Sequence, residues 1–352
     1  MAIIQQDFAD FKTWLNKRLA KTRTPFSGTF ELTPQCNFFC THCYLQEHKS
    51  EKAPLSTKKI MEILDQLKDS GALSISFTGG EPLLREDYKE IHKYAFKLGF
   101  WINIFTNGSL IDRKMADFLE QYPPRGVEIS LYGGDEDTYQ KITGRKNQFD
   151  IVINAIDQLL SRKIKVVLKS VLLTPILKSI HKMEILAKQR ELKIAYDPSV
   201  TPTVENSSNP VMLRVDPSKA VEIEFSPLGA ADKLREYNTM VKESDMDGDT
   251  PLCGAGFNGY HIDYKGNLMP CVMLRAPSYS LIDHSFKDAF ALLGNHGRPM
   301  FDEESECREC ELRHLCSFCP GSIFCNESYP SNRNSFYCFI AAKRMAIIKS
   351  GQ

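Results

Sequence analysis

The sequence predicts an α/β protein built on a parallel sheet and followed by a cysteine-rich C-terminal part. Short runs of strand-forming residues alternate with helical patterns up to about residue 200. Turn-rich and then cysteine-rich sequence follows. Six strand–helix units can be found, and the two more that a closed eight-stranded barrel needs cannot. We therefore expect a partial (β/α)6 TIM-like barrel with its functional residues at the carboxyl ends of the strands.

The predicted strands are short and rich in β-branched and aromatic residues. They are Thr29–Thr33, Ser74–Thr78, Ile102–Thr106, Val127–Leu131, Lys165–Val171 and Ile194–Tyr196. The clearest helix is Thr57–Ser70, whose apolar residues recur at helical spacing between an N-cap at Ser56 and a stop at Gly71. Further helical patterns cover Asp87–Leu98, Asn154–Leu160, Ser179–Gln189 and, after the barrel, Ala230–Lys242.

Four segments are expected along the chain. Residues 1–28 should form an amphipathic helix that caps the barrel with Phe8, Phe11, Trp14 and Leu15. The barrel covers 29–200, and a turn-rich bridging segment covers 201–251. The remainder, 252–345, is a separate cysteine-rich module.

Composition excludes several classes of protein. The 352 residues carry 44 basic and 44 acidic side chains, so no charge excess indicates nucleic acid or a membrane surface as a partner. The N-terminus lacks a signal peptide, and we expect a cytoplasmic protein. Eleven cysteines in such a chain are poor candidates for disulfides. They lie in two groups, at 36–43 and 253–338, which favours metal or cluster ligation.

The first group is a cysteine triad with the spacing C-x3-C-x2-C. Cys36, Cys40 and Cys43 directly follow the first predicted strand. A [4Fe–4S] cluster normally takes four cysteines, so three thiolates leave one iron open to another ligand. Taken alone, the triad could equally be a zinc site or a structural cluster.

A second motif, Gly79-Gly80-Glu81-Pro82, follows the second predicted strand. The two glycines would let backbone groups approach a ligand closely, Glu81 supplies a carboxylate and Pro82 fixes the turn. Alone, this motif would be read as an ordinary strand-to-helix turn. Because both motifs follow successive strands of one sheet, we expect them to meet at the same edge.

Together these motifs resemble the radical S-adenosylmethionine (SAM) superfamily. The resemblance implies that Cys36, Cys40 and Cys43 hold a [4Fe–4S] cluster whose open iron binds the amino and carboxylate groups of SAM. It implies that the Gly79–Pro82 turn binds the SAM amino group. It also implies reductive cleavage of SAM to methionine and a 5′-deoxyadenosyl radical, in a site that excludes water.

Further residues are assigned to the SAM site by the same resemblance. The family usually has an aromatic residue before its third cysteine, whereas this chain has His42 there and Tyr44 after it. We assign Tyr44 to the cofactor site and expect His42 to stack or pack, since three thiolates suffice for the cluster. The resemblance places Asn107 and Ser130 near the SAM ribose and Arg145 near its carboxylate. Each could instead be a loop or capping residue.

The C-terminal cysteines resemble a SPASM domain, a module that holds two auxiliary iron–sulfur clusters. Their spacing departs from the usual pattern only between Cys316 and Cys319, and two C-x2-C pairs leave a zinc ribbon as an alternative. The resemblance implies three [4Fe–4S] clusters in all. The cysteines expected at cluster I are Cys253, Cys271, Cys319 and, by our assignment, Cys325. Those expected at cluster II are Cys307, Cys310, Cys316 and Cys338.

SPASM proteins mostly act on peptides and proteins, so we expect an oxidative modification of a ribosomally made peptide, such as a thioether or carbon–carbon crosslink. Full ligation leaves no cysteine as a hydrogen donor, which favours net oxidation with the auxiliary clusters accepting an electron. Expected partners are the peptide, a separate leader-binding protein and a flavodoxin- or ferredoxin-type electron donor. The alternatives are a small-molecule or tetrapyrrole oxidase or decarboxylase, a sulfatase-maturase-like protein oxidase and, outside this class, a non-catalytic iron–sulfur or zinc protein.

Overall fold

The computed structural model describes residues 22–45, 55–204, 207–226, 230–243, 254–295, 306–307, 309–317, 319 and 335–350. Six strands form the predicted parallel sheet. They are β1 (Ser27–Glu31), β2 (Ser74–Thr78), β3 (Trp101–Thr106), β4 (Gly126–Ser130), β5 (Val166–Val171) and β6 (Ile194–Asp197). Each strand pairs in parallel with the next one along the chain. The predicted α/β partial barrel is therefore confirmed.

The helices follow the strands as expected. They are α1 (Thr57–Asp69), α2 (Tyr88–Lys97), α3 (Arg113–Gln121), α4 (Glu136–Thr143), α5 (Phe149–Ser161) and α6 (Ile180–Gln189). Ser56 caps α1 as predicted, since its hydroxyl accepts a hydrogen bond from the backbone N–H of Lys59 at 3.3 Å. Gly71 ends the same helix region with a φ of +88°.

Two of the barrel helices, α3 and α4, were not predicted from the sequence, and the prediction for α5 was too short. Helix α3 has only nine residues, although Asp112 caps it by accepting from the N–H of Met115 at 2.7 Å. Helix α4 has only eight residues, which is close to the lower limit for a recognisable periodicity. Helix α5 begins at Phe149, five residues before the predicted start.

The sheet has two faces of different chemistry. One face packs against the helices, and its side chains join the main hydrophobic core, as Ile75, Phe77 and Leu168 do. The opposite face, called the inner face below, carries the alternating residues of β1–β6. Its non-glycine positions are Ser27, Thr29, Glu31, Ser74, Ser76, Thr78, Trp101, Asn103, Phe105, Glu128, Ser130, Val167, Lys169, Val171, Ala195 and Asp197. A polar inner face with a hydrophobic outer layer fits a barrel whose interior is open to a ligand.

The sheet continues into the C-terminal part of the chain. Strand β7 (Gly259–Ile262) pairs in parallel with β1, and β8 (Asn267–Met269) and β9 (Tyr279–Ser280) extend it in antiparallel fashion. These strands were not predicted, because four residues or fewer give too short an alternation to recognise. The cysteine-rich part thus shares a sheet with the barrel.

The remaining helices are α7 (Pro217–Glu224), α8 (Ala230–Glu243), α9 (Phe286–Asn295) and α10 (Ser335–Lys349). Helix α8 matches its prediction to within one residue. The predicted capping helix before β1 and two of the cysteines, Cys253 and Cys325, lie outside the described residues. Within the described ranges, no helix is both long and apolar enough to cross a bilayer.

Candidate active site

The cysteine triad lies on the loop that leaves the carboxyl end of β1. Two backbone hydrogen bonds tie this loop to the end of α4. They join the N–H of Phe39 to the carbonyl of Thr143 at 2.8 Å and the N–H of Thr41 to the carbonyl of Ile142 at 2.9 Å. Phe38 is buried beneath the loop and packs edge-on against Tyr139. The loop is therefore fixed by its backbone hydrogen bonds to α4 and by the packing of Phe38 beneath it.

The three thiols are close enough to influence one another electrostatically. Burial raises the pKa of Cys36 to about 11. Burial also raises the pKa of Cys40, and the neighbouring Cys43 and Cys36 raise it further. Thiols so placed hold their protons until a cation displaces them. Bound iron would supply that positive charge, so the donor set fits a cluster.

Among the described residues, no three His, Cys, Asp or Glu side chains are arranged to hold a single metal ion. This is compatible with a cubane, because each cysteine then binds a different iron. Cysteine sulfurs that bind different irons of a cubane lie farther apart than sulfurs that bind one shared ion.

The Gly79–Pro82 turn meets the cysteine loop, as predicted, but the reason for its glycines is different. The N–H of Gly80 donates to the carbonyl of Thr33 at 2.9 Å, and the N–H of Glu81 donates to the carbonyl of Gln35 at 2.7 Å. A Cβ at Gly79 would lie 2.3 Å from the Thr33 oxygen, and one at Gly80 would lie 2.2 Å from the Gln35 oxygen. The glycines are thus required for packing against the chain's own backbone.

Glu81 is fully buried and joins the ends of β2 and β3. Its carboxylate accepts from the Thr106 hydroxyl at 2.8 Å and from the backbone N–H groups of Asn107 and Leu83 at 2.8 and 3.2 Å. Burial raises its pKa to about 7 despite these three hydrogen bonds. The carboxylate therefore stabilises the chain's own loops. The expected contact of Glu81 with a ligand does not fit this geometry, because its oxygens already accept hydrogen bonds from the protein.

Asn107 lies at the end of β3 and points toward the triad. Its amide nitrogen donates to the Asn37 side-chain oxygen at 2.9 Å and approaches the Cys36 sulfur at 3.9 Å. Its amide oxygen accepts from the backbone N–H and hydroxyl of Ser109 at 2.9 and 2.6 Å. Asn37 and Ser109 were missed by sequence reasoning, because only the folded loops bring them together. Asn107 therefore lies beside the triad, with its amide nitrogen facing Cys36.

Ser130 and Arg145 occupy different parts of the site. Ser130 is partly exposed on the inner face at the end of β4. The Arg145 guanidinium donates from Nε to the carbonyl of Asn37 at 2.7 Å and lies 4.6 Å from the Phe39 ring centroid. Arg145 therefore clamps the cysteine loop from outside.

His42 packs as expected. Its ring lies 5.2 Å from that of Tyr132, and burial lowers its pKa to about 4. Its buried Nδ1 has no hydrogen-bond partner among the described residues. Tyr44 lies on the other side of Cys43, where its carbonyl accepts from the N–H of Val204 at 2.9 Å. Burial, and then the nearby Glu31 carboxylate, raise the pKa of Tyr44.

A buried polar cluster, also missed in the sequence, connects β1 with the C-terminal strands. The Glu31 carboxylate accepts from Arg275 at 2.7 Å and lies 3.3 Å from Nε2 of His261, whose Nδ1 is 2.6 Å from the Thr29 hydroxyl. Burial opposes ionisation of Glu31, but contacts with His261 and Arg275 outweigh it and lower its pKa. The cluster borders a cavity of about 260 Å³ that Pro34 and Leu45 also line.

The described C-terminal cysteines are placed by local turns and by α10. The Cys271 sulfur accepts from the N–H of Leu274 at 3.2 Å, in the loop that leads to Arg275. The Cys316 sulfur lies 3.9 Å from the carbonyl of Tyr337, the residue before Cys338 on α10. Cys316 therefore lies beside the first turn of α10, which also carries Cys338.

Comparison with known proteins identifies the barrel. Residues 30–187 match the family model of the radical SAM superfamily. These residues are a radical SAM domain. Membership implies a [4Fe–4S] cluster and SAM as cofactors.

Two curated relatives match different extents of the chain. Fe-coproporphyrin III synthase of Methanosarcina barkeri is 37% identical over 141 residues, which are 40% of this chain and 35% of that protein. The subtilosin biosynthesis protein AlbA of Bacillus subtilis is 24% identical over 327 residues, which are 88% of this chain and 68% of that protein. The chain thus spans about a third of one relative and about two thirds of the other.

Among solved structures, Streptococcus suis SuiB bound to its precursor peptide SuiA is similar across the whole chain. It covers 96% of this chain and 82% of its own, with a TM-score of 0.72 and 18% identity. At this identity the likeness shows the fold alone.

Proposed function

We propose that this radical SAM enzyme oxidatively modifies a ribosomally made peptide. The observation that carries the proposal is the convergence of the triad loop, the Gly79–Pro82 turn and Asn107 at one edge of the sheet. A relative named for subtilosin biosynthesis that matches 88% of the chain, and a similar fold that binds a precursor peptide, support a peptide substrate.

The chain's own residues have distinct tasks in this proposal. Cys36, Cys40 and Cys43 hold the cluster, and the buried Glu81 fixes the turn beside them. When bound, the reduced cluster and SAM supply a 5′-deoxyadenosyl radical that abstracts hydrogen from the substrate. The backbone of the Gly79–Pro82 turn binds the SAM amino group, with Tyr44, Asn107, Ser130 and Arg145 as further contacts. The burial of the loop keeps water from the reacting groups.

The C-terminal cysteines are proposed to hold two auxiliary [4Fe–4S] clusters within a SPASM module at 252–345. The contact between Cys316 and the backbone next to Cys338 supports a set that also includes Cys307 and Cys310. Cys271 and Cys319, with Cys253 and Cys325 from outside the described residues, form the other set. The substrate radical would pass one electron to these clusters and release one proton, which completes a two-electron oxidation.

The proposed setting follows from these cofactors. Low-potential clusters need a reductant and reducing conditions, so we propose a flavodoxin- or ferredoxin-type electron donor and a cytoplasmic setting. Peptide recognition uses the barrel mouth or a separate leader-binding protein.

A tetrapyrrole substrate is the second candidate, because the M. barkeri relative is 37% identical to this chain. That match covers 141 residues, about the extent of the radical SAM domain, whereas the subtilosin relative also matches most of the C-terminal part. Sequence similarity therefore supports a peptide substrate over more of the chain than it supports a tetrapyrrole substrate.

The test is co-expression with short peptides encoded beside the gene, followed by mass spectrometry of each peptide. A peptide that loses two hydrogen atoms only when the enzyme is present supports the proposal. Unchanged peptides, together with a mass change in added coproporphyrin, would favour the second candidate. Iron analysis and Mössbauer spectroscopy of the same enzyme should count three [4Fe–4S] clusters.

A further inference from the structure

The inner face of the barrel carries a charged group that has no assigned part in binding the cluster or SAM. Lys169 on β5 lies opposite Ser130 in the register of β4 and β5, at the carboxyl end of the sheet. Its ammonium contacts the Glu128 carboxylate and lies 4.9 Å from the Phe105 ring centroid. All three side chains come from neighbouring strands and belong to the inner face.

The two charges of this pair are unequally accessible. Lys169 is 51% exposed, whereas Glu128 is 19% exposed and the oxygen that meets the ammonium is buried. A ligand entering the barrel therefore meets the ammonium before it meets the carboxylate. An ammonium has three N–H donors, so it can hold Glu128 and still donate to a second acceptor.

The position of the ammonium is also fixed before a ligand arrives. Glu128 and the face of Phe105 restrain a side chain that otherwise loses considerable rotamer entropy on binding. Among the inner-face positions of β1–β6, all of which are described, Lys169 is the one basic residue. A cationic ligand group at this point would be repelled by it, and an anionic group would be attracted.

We propose that Lys169 is a recognition residue for a carboxylate in the substrate, with Glu128 and Phe105 as its positioning residues. The proposal rests on the proposed peptide-modifying function and names the substrate class: a peptide segment with an acidic side chain near the reacting position. Lys169 is paired with Ser130 at the carboxyl end of the sheet, so the carboxylate that it binds would lie at the same end of the barrel as the cysteine triad.

The test uses three fluorescent peptides with blocked ends that differ only in a central Glu, Gln or Lys. Their affinities for the cluster-loaded, SAM-bound full-length enzyme are measured by anisotropy. The wild-type enzyme should prefer the Glu peptide over the Gln peptide by about fivefold, the upper range for a half-exposed charge pair. Lys169→Gln should remove this preference, and Lys169→Glu should transfer it to the Lys peptide.

Lys188→Gln is the matched control, since Lys188 is exposed on the outer helix α6. It should keep the wild-type preference. Equal affinity of wild-type enzyme for all three peptides, no measurable binding of the Glu peptide, or a preference that survives Lys169→Gln would overturn the inference. So would a Lys169→Gln enzyme that loses SAM affinity and keeps its peptide preference.

Failure of the proposed function gives a different result. Peptides encoded beside the gene would then stay unmodified on co-expression with wild-type enzyme. An enzyme that modifies a peptide but shows no charge preference would refute the role of Lys169 alone.

Discussion

At the scale of single residues, the site depends on side chains that serve the chain's own loops. Glu81, Asn107 and Arg145 were all expected to touch SAM. In the structure the Glu81 carboxylate accepts hydrogen bonds from the backbone N–H groups of Leu83 and Asn107 and from the Thr106 hydroxyl. The Asn107 side chain forms hydrogen bonds with Asn37 and Ser109, and the Arg145 guanidinium donates to the carbonyl of Asn37. Their assignment to the SAM site stays a prediction, and the structure shows them beside the triad loop and the Gly79–Pro82 turn. The sequence could not show what each side chain contacts, because partners such as Thr106 for Glu81 and Asn37 for Asn107 and Arg145 come from other loops.

Glu81 should make stability depend on pH. Its pKa is raised from an ordinary 4.5 to about 7 in the folded protein, so the folded state holds the proton more tightly than the unfolded state. The free energy of unfolding should therefore fall as pH rises from about 4.5 to about 7, by roughly 3 kcal/mol at most, and level off above that. Glu81→Gln cannot ionise, and this part of the pH dependence should disappear.

Urea denaturation of both proteins between pH 5 and pH 8 measures the difference. The Glu81→Gln protein should also be less stable than wild type at low pH. Its side-chain NH2 group would face the backbone N–H of Asn107, so two hydrogen-bond donors would meet. Parallel pH profiles for the two proteins would show that Glu81 titrates normally.

At the scale of secondary-structure elements, local pattern predicted most of the barrel. The strand Ser74–Thr78 was found to the residue, and α1 with its Ser56 cap was found because its signals lie within a few residues of one another. What sequence missed depends on distant contacts. Strands β7–β9 are short and are stabilised by pairing with β1 and with each other, which no local alternation reveals.

The turn after β2 offers a test of element packing. Gly80→Ala would place a methyl group 2.2 Å from the Gln35 carbonyl oxygen, so the turn and the cysteine loop must separate. We expect a loss of about 3 kcal/mol in the free energy of unfolding, in the upper range for overpacking a rigid contact. Iron content after reconstitution should fall with it.

Gly99→Ala is the control for this change. Gly99 has a φ of +89°, but a Cβ there would meet nothing within 4 Å. The expected loss is about 1 kcal/mol, from backbone strain alone, with full iron content. Equal losses at Gly80 and Gly99 would show that the two loops are not in close contact.

The C-terminal helix α10 is held by one buried arginine. Arg344 makes a bidentate ion pair with Glu224 of α7, at 2.7 and 2.9 Å from Nη2, and donates from Nη1 to the carbonyl of Leu315 at 2.7 Å. Arg344→Ala leaves a partly buried carboxylate and a carbonyl unpaired, which should destabilise the C-terminal part by about 3 kcal/mol, the lower end for breaking a buried ion pair.

Limited proteolysis and urea denaturation should both detect this loss. Lys219→Ala, which breaks an exposed ion pair with Glu222, should change the free energy of unfolding by less than about 0.5 kcal/mol. Similar small effects at both sites would mean that α10 docks through its apolar residues alone.

At the scale of the whole molecule, strands β7–β9 of the cysteine-rich part continue the sheet of the barrel. Glu31 at the end of β1 bonds Arg275, which lies in the loop after Cys271, while the same strand leads into the triad loop. The triad and the proposed auxiliary ligands are therefore linked through β1. The expectation of a separate module did not anticipate this shared strand, because β7 has only four residues.

The loop with Cys36, Cys40 and Cys43 should hold a cluster that cleaves SAM. The most direct measurement is anaerobic turnover of SAM by the cluster-loaded, reduced enzyme, with 5′-deoxyadenosine quantified by chromatography. Wild-type enzyme should form 5′-deoxyadenosine only when reductant is present, and Cys36→Ala should form none. A wild-type sample with its full iron content that forms no 5′-deoxyadenosine, or a Cys36→Ala variant that forms as much as wild type, would contradict the claim.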